Sequence, residues 1–143
     1  MWLLVGIQHH EVEFFPWGKY HNLDVADADN IGNIFDLQTW RDIRERYGEK
    51  CFDCILTDGG LLGVKRIDEV IRIKNSLLKD DGYILNYTSI IGEIVEDPLQ
   101  RPEVTFFKIP KKQYTIEEHD RAYMDLKSST WSGKLKERLK LIV

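Results

Sequence analysis

A chain of 143 residues with 43% hydrophobic and 31% charged side chains is long enough to form one domain, burying about 68–70% of its unfolded surface with no need of disulfide staples. Its formal charge of −4 gives no general attraction to phosphate backbones or anionic lipid, which argues against nucleic acid as a partner. No apolar run approaches the roughly 20 residues that span a bilayer, and the opening Met-Trp-Leu-Leu-Val-Gly is too short and uncharged for a secretory signal, so the expectation is a single cytoplasmic domain over 1–143 with no membrane partner.

Trp2 to Gly6 is apolar throughout, the pattern of a central strand covered on both faces. Ile7 to Lys19 shows neither helical nor alternating periodicity and carries Pro16 and Gly18 near its end, so it reads as a loop with apolar anchors. Tyr20 to Val25 reads as a second strand with Asp24 near its carboxyl end, followed by an acidic loop from Ala26 to Asn30. Asn33-Ile34-Phe35 is a brief third strand leading to Asp36. Trp40, Ile43 and Tyr47 then recur at i, i+3 and i+7. This spacing predicts a helix over Leu37 to Tyr47, with Asp36 as its N-cap and Gly48 as its stop.

Phe52 to Thr57 is a short apolar run with β-branched Ile55 and Thr57, halted by Asp58-Gly59-Gly60. It reads as a buried strand that sets Asp58 at its carboxyl end, the edge at which open α/β sheets bind ligands. Ile67, Val70, Ile71 and Leu78 mark one face of a helix from about Val64 to Lys79, which Asp80-Asp81-Gly82 ends with turn chemistry. Tyr83 to Thr88 is a fifth strand. Ser89 to Pro102 reads as a loop with room for a short helical turn, and Val104 to Ile109 as a sixth strand closed by Pro110. Ser132 caps a terminal helix whose end, Leu139 to Val143, reads equally well as an edge strand. Strands that alternate with helices from Met1 to Thr88 predict an α/β fold with a mostly parallel sheet, because parallel neighbours require long crossovers.

Several residue groups carry a plain and a chemical reading. Cys51 and Cys54 form a CxxC, but the pair opens a strand and not a helix, and no second ligand pair stands at zinc-finger spacing, so two reduced structural thiols are expected. His9, His10, Glu11, Glu13 and His21 lack the regular spacing that aims ligands inward, so a polar loop is expected there and no metal site. Phe14, Phe15 and Trp17 read as anchors of a long loop, with a lid as the alternative. Lys134, Lys136, Arg138 and Lys140 read as a solvated helix face. No GxGxxG follows any of these strands, which leaves a nicotinamide dinucleotide without a seat for its phosphates.

Asp24, Asp36 and Asp58 all follow strands at one sheet edge. With Leu4-Val5-Gly6, Trp17-Gly18, Asn22-Leu23-Asp24, Phe52 to Asp58, Arg66-Ile67-Asp68-Glu69 and Leu77 to Ile84, the stretch from Trp2 to Thr88 resembles the compact class I S-adenosylmethionine-dependent methyltransferases. The Leu77-Leu78-Lys79-Asp80-Asp81-Gly82 stretch stands where that family has a Leu-Lys-Pro-Gly-Gly turn. The glycine-rich turn that the family places after its first strand is replaced by Gly6-Ile7-Gln8.

The resemblance implies a Rossmann-like, mostly parallel sheet of six to seven strands with flanking helices. It also implies S-adenosylmethionine as cofactor and a small-molecule or other methyl acceptor as partner. Carried over, Gly6 would allow close approach of backbone to cofactor, Asp24 would accept from the ribose hydroxyls, and Asp36 and Leu37 would flank the adenine. Asp58 would lie near the methyl donor and serve as the candidate catalytic residue. The altered turn keeps a second expectation open: a catalytically inactive methyltransferase-like domain acting as a scaffold or interaction subunit. Self-association is compatible with either.

Overall fold

Four consecutive apolar residues, buried without exception, make β1 (Trp2–Val5) the strand on which the sheet is centred. The computed structural model of the chain describes residues 1–57, 67–86, 92–102 and 104–113. Within them β1 is followed by a 3-10 turn at His9–Val12, then β2 (Tyr20–Asp24), β3 (Asn30–Ile31), α1 (Leu37–Tyr47), β4 (Phe52–Thr57), α2 (Ile67–Leu77), β5 (Leu78–Asn86), β6 (Glu93–Glu96) and β7 (Thr105–Pro110). The seven strands form one sheet in the order β3-β2-β1-β4-β5-β7-β6. β1, β2, β3, β4 and β5 pair in parallel, whereas β7 runs antiparallel to both β5 and β6. The α/β class and the mostly parallel sheet are as expected, with an antiparallel strand mixed in.

Side-chain alternation divides the core into two layers. Leu3 and Val5 of β1 join Leu23, Ile55 and Ile84 under Trp40 and Ile43 of α1 and Val70, Ile71 and Leu77 of α2. Trp2 and Leu4 turn to the opposite face with Cys54, Leu56, Leu85 and Phe106, where the cover comes from Ile7, Val12, Phe15, Leu99 and Val104. Each such aliphatic or aromatic side chain contributes about 1.5–3 kcal/mol when withdrawn from water. No helix among the described residues is long and apolar enough to cross a membrane.

α1 has the expected limits because both ends are capped. The Asp36 carboxylate accepts from the Gln38 N–H at 3.0 Å. Gly48, at φ 81°, donates its N–H to the Arg44 carbonyl at 2.8 Å, a backbone conformation that suits glycine.

Three expected elements differ. The third strand is Asn30–Ile31 and not Asn33-Ile34-Phe35. The Asn33 side chain accepts from the Phe35 N–H at 2.9 Å and its carbonyl from the Asp36 N–H at 3.0 Å, so local bonds curl that segment into a turn. Asp80-Asp81-Gly82 does not close a helix but lies within β5, which begins at Leu78. Phe52 pairs with Leu78 and Cys54 with Tyr83, so the acidic residues form a bulge in a strand held at both ends by pairing. Glu93–Glu96, expected in a loop, is an edge strand paired with β7. Expectations for the terminal helix, the basic tail and the start of the α2 segment at Val64 lie outside the described residues.

Candidate functional site

The order β3-β2-β1-β4-β5 places a topological switch between β1 and β4, since the chain builds outward from β1 to β3 before returning to the other side. The crevice outside the carboxyl ends of the strands at such a point is where α/β sheets bind ligands. Gly6 leaves β1 at φ 75°, a conformation that L side chains rarely adopt, and its N–H donates to the Leu23 carbonyl at 2.8 Å. Ile7 is fully buried in the layer opposite the helices. Its side chain is thus turned under the loop rather than out of it.

Asp24 ends β2 and is partly exposed. Its Oδ1 accepts from the Val25 N–H at 2.6 Å and its carbonyl from the Gly32 N–H at 3.0 Å. The second carboxylate oxygen has no partner among the described residues. Two apolar side chains beside this tip stand in solvent, Val25 at 64% exposure and Ile31 at 65%, and Phe35, in the turn before α1, is 51% exposed. Ile31 is the ladder partner of Asp24, and Phe35 adjoins Asp36. Asp36 is exposed and caps α1, whereas Leu37 is buried in the helix-side core. The structure thus sets Gly6 and Asp24 at the tips of neighbouring strands and Asp36 at the start of the helix that follows β3. Asp58 lies outside the described residues.

Lys74 escapes a reading of the sequence. This side chain is fully buried on α2, donating from Nζ to Thr57 Oγ1 at 3.3 Å with Nζ 5.8 Å from the centre of the Trp40 ring. Thr57 is the last residue of β4, and its ladder partner Asn86 on β5 is also buried. Desolvation pulls the Lys74 pKa down to about 7, outweighing the preference of the indole face for a cation. The one signal for it in the sequence is a lysine four residues after Val70 and three before Leu77, inside an apolar stripe.

The histidines hold a loop. His9 Nε2 lies 3.3 Å and His21 Nδ1 3.4 Å from the two carboxylate oxygens of Asp29, and His10 Nδ1 lies 3.0 Å from Asp27 Oδ2. The bonds from His10 hold the Asp27 carboxyl below its ordinary range. No group of three or more His, Cys, Asp or Glu residues able to hold a metal occurs among the described residues. Phe15 packs edge-on against Trp2 at 5.2 Å and Tyr20 at 5.8 Å between ring centres, which makes it an anchor, while Phe14 and Trp17 are exposed. Cys51 and Cys54 are free thiols. Burial pushes both thiol pKa values up, that of Cys54 well above the ordinary range, the opposite of what a redox nucleophile requires.

Comparison with protein-family models, curated proteins and solved structures finds no match to this chain.

Proposed function

We propose that the chain is an S-adenosylmethionine-dependent methyltransferase with a Rossmann-like fold. The observation that carries this reading is Asp24 at the tip of β2, beside the switch point, with one carboxylate oxygen unpartnered among the described residues and the exposed side chains of its chain neighbour Val25 and its ladder partner Ile31 beside it. A carboxylate offers paired acceptors to a vicinal diol, and exposed apolar side chains beside it suit the faces of a purine. A seven-stranded sheet in the order β3-β2-β1-β4-β5-β7-β6 with β7 reversed also resembles the class I methyltransferase arrangement.

The residues present fit the adenosyl half of the cofactor. Asp24 would accept from both ribose hydroxyls, Asp36 would border the adenine while Leu37, buried in the helix-side core, would back it from behind, and the bare Gly6 backbone would allow close approach. When bound, the cofactor supplies a methyl group already activated on a sulfonium. The chain's own task is then alignment and exclusion of water rather than strong acid–base catalysis, with Asp58 assigned to the acceptor side. Titration calorimetry with S-adenosylhomocysteine tests this directly: saturable binding is expected, weakened about 10-fold or more in Asp24→Asn by loss of a charged hydrogen-bond acceptor. Absence of both binding heat and thermal shift at millimolar ligand rules the reading out.

A second reading, an inactive methyltransferase-like scaffold, draws on one feature. The Ile7–Lys19 crossover holds only a four-residue 3-10 turn, and Gly6-Ile7-Gln8 stands in place of a glycine-rich turn. It predicts no cofactor binding, so the same titration separates the two.

A further inference from the structure

An open cavity of about 330 Å³ lies between the segment that follows β1 and the Pro98–Gln100 turn; its walls include Glu11, Glu13, Phe14, Phe15 and Leu99, and no lysine or arginine among the described residues lines it. Phe14 is 88% exposed, an aromatic ring left in water at the cavity wall. Phe15 is held in place by Trp2 and Tyr20 behind it. Glu11 uses Oε1 to accept from the Gln8 N–H at 3.0 Å, but the Glu13 carboxylate has no partner among the described residues. The nearest guanidinium in sequence, Arg101, is bound to Asp97 with Nε 2.5 Å from Oδ2. The remaining titratable wall residue, His10, is tied through Nδ1 to Asp27.

This combination has a definite chemical preference. Aromatic faces carry negative potential and attract cations, two carboxylates add charge of the same sign, and the proline and leucine surfaces accept hydrocarbon. The volume lies within the range of small-molecule sites. We infer that this cavity binds a small organic cation, an ammonium head on an apolar body, with Phe14 and Glu13 as its principal contacts. The assignment is independent of methyl transfer, and the binding experiment omits S-adenosylmethionine, so its failure and the failure of the methyltransferase reading are separate results.

Benzyltrimethylammonium, titrated into the full chain and followed through the aromatic proton resonances, should bind saturably and perturb phenylalanine signals, whereas phenylacetate of similar size should not. Phe14→Ala should weaken binding about two- to fivefold, the loss of one exposed cation–π contact. Glu13→Gln should weaken it as well, with a reduced dependence on salt. Both side chains are exposed, so neither variant threatens the fold. Non-saturable binding of benzyltrimethylammonium, equal binding of phenylacetate, or wild-type affinity in both variants would overturn the assignment.

Discussion

Replacing Lys74 with methionine keeps the length of the side chain while removing its charge and its hydrogen bond to Thr57, so the pH dependence of the difference, rather than its size at one pH, reports what the buried ammonium costs this fold. In the unfolded chain the lysine titrates at about 10.4, but in the folded state desolvation brings it to about 7. Below pH 7 both states are protonated, and the buried charge destabilises the fold by about 5 kcal/mol, since each tenfold weakening of proton binding corresponds to about 1.4 kcal/mol. Between the two values the unfolded state binds more protons than the folded one, so this penalty shrinks as pH rises. Cys54 acts in the opposite sense above about pH 8.5, where its thiol ionises in the unfolded chain but is held protonated by burial in the folded one. The informative quantity is therefore the difference in stability between Lys74→Met and the wild type, in which the thiol cancels. That difference should fall by about 2 kcal/mol between pH 6 and pH 8.5, or about 4–8 °C in relative melting temperature for a chain of this size. Urea denaturation at both pH values measures it. A difference constant to within about 0.5 kcal/mol would refute the reasoning, since the lysine would then titrate alike in both states.

Asp36→Ala removes the N-cap of α1 and should cost about 0.5–2 kcal/mol in denaturant unfolding; if Asp36 also borders the adenine, affinity for S-adenosylhomocysteine falls beyond what the stability loss explains. Ile7→Ala should cost about 2–5 kcal/mol, as expected for a side chain turned wholly into the core, and an effect below about 0.5 kcal/mol would place that side chain outside it. Native protein treated with iodoacetamide at pH 8 should lose no Cys54 thiol and only slowly lose Cys51, both reacting at once in urea. Rapid modification of both in the native state would revive the redox reading of the CxxC.

Elements whose local and tertiary preferences agree were legible in the sequence. α1 combines an apolar stripe with a capping aspartate and a glycine stop, and its limits, Leu37 and Tyr47, follow from those three signals. β1 and β4 are short, largely apolar runs bounded by turn residues, the pattern of a buried strand. Where long-range pairing opposes local chemistry, the sequence misleads. Asp80-Asp81-Gly82 has the composition of a turn, yet pairing of Phe52 with Leu78 on one side and of Cys54 with Tyr83 on the other draws it into the sheet. Asn30–Ile31 is too short for periodicity to register, and its identity as a strand rests on its partners Leu23 and Asp24. Asp24 could be placed because a strand's end is readable; Lys74 could not, because a lysine's usual position on a helix is its solvent face.

The segment between β1 and β2 also accounts for how the second face of the sheet is covered. A crossover helix would place an apolar stripe over Trp2 and Leu4; here Ile7, Val12 and Phe15 do so from a loop, and Trp2 completes a cluster with Phe15 and Tyr83 at ring-centre separations of 5.2 and 6.0 Å. A loop lacks the repeating backbone bonds of a helix, so its position must be fixed by other contacts. The His9 N–H donates to the Asp27 carbonyl at 2.8 Å, Asn22 Nδ2 donates to the Ile7 carbonyl at 2.9 Å, and His9 and His10 tie the same region to Asp29 and Asp27. These bonds reach the loop that begins immediately after Asp24. The cover of the second face and the candidate ribose-binding carboxylate are thus mechanically joined, and substitutions in the Ile7–His10 stretch should alter ligand affinity at the β2 tip as well as stability.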